Sequence, residues 1–151
     1  MNLKEQIAAL NIILPPAPPL GGVYKPVMIV DKMLYVSGQG PVQNDGSLIK
    51  GKLGIDLEME DGYAAARQVG LTMLSTINAH ADLNQVKRLV KTLGMVNSAP
   101  DFHQQPQVIN GFSNLMVELL GEDYGKGARS AVGMILPGNI AVEIEAIFEL
   151  H

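Results

Sequence analysis

The stretch ARSAVGMILPGNIAVEIEAIFEL, Ala128–Leu150, carries the clearest pattern in the chain. In its second arm Val142, Ile144, Ala146, Phe148 and Leu150 fall on one face of an extended strand; Ala141, Glu143, Glu145, Ile147 and Glu149 fall on the other. The first set fits beneath helices. The second is too apolar for open water and too acidic for a core. Leu136–Asn139 contains proline and glycine and reads as a turn. The two arms are therefore expected to pair as an antiparallel hairpin. Arg129 and Glu143 lie symmetrically about residue 136, so such a hairpin sets them within a residue or two of each other. Two readings follow. One is a cross-strand ion pair on a sheet surface. The other is a site in which the arginine fork holds a carboxylate or phosphate and the glutamate positions or deprotonates water. Spacing alone suits the ion pair better.

Working outward, Leu3, Ile7 and Leu10 recur at helical spacing, and Pro15, Pro16, Pro18 and Pro19 end that helix in an extended arm. Val27–Val30 and Met33–Val36, split by Asp31-Lys32, form a hairpin signal. Ser37–Gly54 is loop-like. A long helix is expected from about Leu57 to Ala81, with Ala66, Val69, Met73, Leu74 and Ile77 as its stripe and Glu58, Glu60 and Asp61 at its positive end. Val86–Val96 reads as a strand. Pro106 opens a second helix, which places Val108, Phe112, Leu115, Met116 and Leu119 on one side and stops at Gly121. After the leading helix the order is β-β-α-β-α-β-β. This is an α+β arrangement, a mixed sheet with two helices on one face. The chain is expected to be a single domain, 1–151, with 1–19 as an N-terminal helix and proline-rich arm. The half-apolar second sheet face calls for a symmetric oligomer that closes such faces together.

Composition narrows the chemistry. The 151 residues carry a net charge of −4, 17% charged and 47% hydrophobic residues. The acidic balance argues against a phosphate-backbone binder. There is no cysteine, so disulfides, thiolate nucleophiles and zinc–thiolate sites are excluded. No apolar run reaches the ~18 residues of a membrane span, and the polar opening MNLKEQIAALN is unlike a signal peptide, which points to a cytoplasmic protein. His80, His103 and His151 have no metal-ligand spacing, and Ser37 and Ser130 have no evident histidine base.

Taken together, SGQ at Ser37–Gln39 followed by Pro41, ARS at Ala128–Ser130, the Leu-Pro turn and VEIEAI at Val142–Ile147 resemble the Rid family. Its members are the reactive intermediate deaminases, also called YjgF-type or endoribonuclease L-PSP-like proteins. The resemblance runs from about Leu20 to Leu150, and GKLGIDL, GYAAARQVGL and LGMVNSAPDF are similar to a less characterised branch. It implies a chorismate-mutase-like fold in a homotrimeric barrel, with ligands in clefts between subunits. It implies hydrolysis of enamine/imine intermediates such as 2-aminoacrylate to a 2-keto acid and ammonia, with neither metal nor cofactor. By the same resemblance Arg129 clamps the substrate carboxylate and Glu143 holds or activates water. Tyr24, Gly38, Asn110 and Ala131 line the cleft, Ala131 standing where many members carry a cysteine. The alternative is a non-catalytic trimer that binds a keto acid or amino acid. An endoribonuclease or translation inhibitor, the third reading, is opposed by the acidic charge and by only 5% aromatic residues.

Overall fold

The computed structural model describes residues 1–151. The leading helix α1 spans Leu3–Ala9 and is followed by β1 (Val27–Val30), β2 (Met33–Gln39) and α2 (Met59–His80). Then come β3 (Val86–Asn97), α3 (Gln105–Leu120), a single-turn α4 (Glu122–Gly125), β4 (Ala128–Met134) and β5 (Val142–Leu150). The five strands form one mixed sheet in the order β1-β2-β5-β3-β4. All neighbours are antiparallel except β3 and β4. The expected α+β class and element order are therefore present.

The expected closing hairpin is not. β4 does not pair with β5, because β3 lies between them. The reason is chain geometry. α3 carries the chain from the end of β3 back over the sheet, which is how a parallel neighbour is reached. The 12-residue β3 is mostly buried and takes a central position. The link from Ile135 to Ala141 holds a 3₁₀ turn at Pro137–Asn139 and crosses over β3 instead of closing a tight turn. The β1–β2 hairpin forms as expected, with Asp31 in the left-handed region at φ 53°.

The core lies between the two long helices and the sheet. The expected stripes of α2 and α3 are buried there, opposite Val142, Ile144, Ala146 and Phe148 of β5. α2 starts where the Asp61 carboxylate accepts from the Glu58 N–H at 2.9 Å, satisfying a donor that the helix leaves free. The two helices approach at Gly111, where a Cβ would stand 2.0 Å from the Tyr63 carbonyl oxygen. Nothing flexible can yield there, so Gly111→Ala is expected to cost about 3 kcal/mol or more. Urea unfolding measures this. A loss under about 1 kcal/mol would show that the helices separate at little cost.

The N-terminal segment is part of the fold. Leu3 and Ile7 belong to the 28-residue core, and the Ser75 hydroxyl donates to the Pro15 carbonyl at 2.6 Å. That bond ties the proline arm to α2. The second sheet face remains uncovered, as its composition suggested. Met28 and Tyr35 stay 46% and 44% exposed on it, beside Leu93, Glu145 and Ile147. Its far end is different. There Leu136 and Ile140 fold over Met95, and Ala141, assigned to the open face by alternation, is fully buried. No helix is long and apolar enough to cross a membrane.

Candidate functional site

Arg129 sits near the start of β4, with Thr92 of β3 as its partner. Thr92 in turn faces Ala146, which belongs to the core side of the sheet. The arginine therefore rises on the helix face. Its guanidinium donates to the Ser113 hydroxyl at 3.0 Å and, at 3.5 Å, to the Pro106 carbonyl, both on α3. No carboxylate pairs with it: the ion pairs of the chain are Arg67–Glu118, Lys87–Glu149, Arg88–Glu149 and Lys126–Glu122. Its charge is held in place and left uncompensated. Around it is a cleft of about 270 Å³, lined also by Asn110, Asn114 and Thr92. The Thr92 hydroxyl is buried there without a hydrogen-bond partner. Ala131 shares the Arg129 face of β4, but it packs against the core and does not line this cleft.

Glu143 occupies the opposite face. It lies between Val142 and Ile144, both buried under the helices, so its side chain projects to the uncovered side. It is also displaced from Arg129 within the sheet, by two strand spacings across (~10 Å) and by the three residues from Thr92 to Met95 along β3 (~10 Å). The ion-pair reading fails on both counts. Glu143 instead packs on Gly38, where a Cβ would stand 2.6 Å from Oε2. A side chain there would push the Glu143 carboxylate aside. Partial burial raises the Glu143 carboxyl above its ordinary pKa, and the neighbouring Glu145 charge adds to the rise.

Tyr24 and Gly38 share a second cleft of about 390 Å³ at the proline arm. The Tyr24 hydroxyl accepts from the Gly21 N–H at 3.2 Å, which holds the ring at its mouth. The candidate residues thus form two groups. Tyr24, Gly38 and Glu143 gather around the end of β2; Asn110 and Arg129 gather under α3. The sheet separates the groups within one chain.

Sequence reasoning missed the groups that hold Arg129. The signal was available: Asn110, Ser113 and Asn114 follow one another at helical spacing and make a polar stripe on α3. It also passed over Lys50, which lines the Tyr24 cleft.

A mixed sheet with helices on one face, and polar groups gathered at the ends of β2 and β4, defines a class that the comparisons make specific. The family model described as "YjgF/chorismate_mutase-like, putative endoribonuclease" matches residues 4–145, and the chain belongs to this family. Protein TCP17 of Trypanosoma cruzi is 41% identical over 152 residues, which span 99% of this chain and 95% of that one. Atu1372 of Agrobacterium tumefaciens, a protein of unknown function, is 37% identical with a TM-score of 0.86, covering 99% of this chain and 94% of its own. A "putative endoribonuclease" of Shewanella oneidensis MR-1 is 27% identical with a TM-score of 0.91, over 99% and 100% of the two chains.

Proposed function

We propose that the protein is an enamine/imine deaminase that hydrolyses small 2-imino acids to 2-keto acids and ammonia, working as a homotrimer. The observation that carries this is Arg129, a cation fixed by neutral partners and free of any carboxylate of its own chain. Such a fork suits a small organic acid. Glu143 lies too far away to act on the same molecule within one chain. The exposed apolar sheet face offers the remedy, since burying it against neighbours can set the Glu143 group of one subunit beside the Arg129 group of the next.

In this reading the carboxylate of the imino acid binds Arg129, and Asn110 of the same cleft adds a polar contact. Gly38 leaves open the space over which the Glu143 carboxylate lies. The substrate enters as the protonated imine: Glu143 takes a proton from water as the oxygen bonds to the imine carbon and the C=N electron pair moves onto nitrogen, giving a neutral carbinolamine. Glu143 then passes that proton to the nitrogen and takes the hydroxyl proton as the carbonyl forms; the carbon–nitrogen bond breaks, and the departing ammonia takes the proton from Glu143 and leaves as ammonium. A base whose pKa is raised is better matched to taking and giving back that proton near neutrality. An imine conjugated to a carboxylate is already electrophilic, so orientation and one directed water suffice.

The test is ammonia release from 2-aminoacrylate generated in situ. Acceleration over the spontaneous rate is expected. Binding of 2-ketobutyrate without any acceleration would select the second reading, a regulatory or carrier trimer for small carboxylates, which the inward-packed Ala131 favours. The RNA cleavage suggested by the family description is opposed by the net charge of −4 and by the few aromatic residues.

A further inference from the structure

The cleft at the proline arm extends beyond what the deaminase reading uses. Pro18, Pro19 and Leu20 form one wall of it, so the anchored N-terminal segment encloses space beside Tyr24 and Gly38. Its polar side chains are almost all committed. The Gln39 amide donates to the Ser37 carbonyl and accepts from the Thr76 hydroxyl at 2.8 Å, and the Tyr24 hydroxyl accepts from Gly21. Lys50 is the exception. It lines the cleft, forms no ion pair with any acid of the chain, and springs from backbone fixed by the bridge between Lys50 and Ile140. No aspartate or glutamate is among the lining residues, although the chain holds 15 acids against 11 lysines and arginines. The uncommitted polar side chain of the lining is therefore a cation, with the Glu143 carboxylate lying just beyond it against Gly38.

We infer that this cleft receives the far end of the substrate, and that the preferred ligands are 2-imino or 2-keto acids whose side chain ends in a second carboxylate, paired with Lys50. The inference rests on the deaminase-type cleft proposed above, because Tyr24 and Gly38 belong to both. In the assembly proposed above, Arg129 of the adjoining subunit reads the carboxylate common to all such acids, and Lys50 reads the one that distinguishes a diacid. The lysine acts as a compact point charge on a flexible stem, suited to a terminal group whose position varies with chain length. The arm contributes apolar walls, Pro18, Pro19 and Leu20, against which the aliphatic part of the ligand can lie.

Calorimetry on the intact protein tests this with two keto acids of similar length, 2-oxoglutarate and 2-oxohexanoate. The first ends in a carboxylate and the second in a methyl group. The wild type is expected to bind 2-oxoglutarate about tenfold more tightly or better, the scale of a charge-assisted hydrogen bond. Lys50→Gln is expected to bring the ratio of the two affinities to within about twofold. Equal affinities in the wild type, or a preference that survives Lys50→Gln, overturn the inference. A parallel titration of Arg129→Ala keeps the two readings apart. If 2-oxohexanoate binds equally well without Arg129, the clamp reading fails while the Lys50 ratio still decides this one. If neither ligand binds the wild type, both fall.

Discussion

Arg129→Ala is expected to lower kcat/KM for 2-aminoacrylate by about 10²–10³-fold, and to abolish measurable binding of small keto acids, without unfolding the protein. The size follows from what is removed. The guanidinium offers two parallel charge-assisted hydrogen bonds, and the other cation lining its cleft, Lys126, is a point charge that cannot reproduce that fork. The fold should tolerate the change, because the side chain is exposed and its partners are a hydroxyl and a carbonyl that water can satisfy. Steady-state ammonia release, calorimetry and thermal unfolding on the same preparation check the three claims. Arg129→Lys separates charge from geometry: a lysine keeps the charge but cannot form the fork or reach both Ser113 and Pro106, so most of the loss should remain. Wild-type turnover in Arg129→Ala would remove the basis of the proposed chemistry.

Glu143→Gln is expected to lower kcat by about 10²–10⁴-fold, the range of a single general-base contribution. It should also stabilise the protein near neutral pH. The folded state raises the Glu143 pKa, so the folded protein holds this proton more tightly than the unfolded chain does. The carboxyl is therefore well accommodated while protonated. Its contribution to stability falls as pH rises from the unfolded value toward the raised folded one, and above that the ionised group opposes folding. Glutamine is uncharged at every pH and avoids this loss. The difference in Tm between variant and wild type should be positive at pH 7 and shrink toward zero as the medium is acidified to the ordinary glutamate range. A variant that gained no stability at pH 7 would show that the ionised Glu143 carboxylate does not oppose folding. Full activity in the variant would exclude the residue as the base.

The three longer helices and all five strands are placed by the sequence, and in α2, α3 and β5 the apolar spacing agrees with burial in the fold. β5 is the extreme case: every second residue from Val142 to Phe148 is buried. Strand pairing was less readable. Alternation states which residues share a face and is silent about the neighbouring strand, so by itself it favours the nearest segment in sequence as the partner of β5. The decisive feature was α3, whose position between β3 and β4 makes a parallel crossover natural. β4 itself carries little contrast. Ala128, Ser130, Ala131 and Gly133 are all small, and they do not declare which way Arg129 points. That is why the residues of the motif were identified while their grouping was not. The arginine and the glutamate are candidates by the company they keep in sequence, but only the sheet order and the bonds to α3 show that they belong to different sides of the molecule.

β4 has a consequence for the order in which the chain becomes ordered. It is an outer strand, joined only to β3, and that parallel pairing cannot close until α3 has been laid down across the sheet. Central β5 draws its hydrogen bonds from both sides, whereas β4 draws them from one. Native-state amide exchange should accordingly find the β4 amides opening at lower free energy than those of β5. Equal protection would mean that the sheet opens as a single unit. Where β4 opens first, mild denaturant will detach the arginine while the β2–β5 half of the sheet is still intact, and ligand recognition will vanish ahead of the global transition.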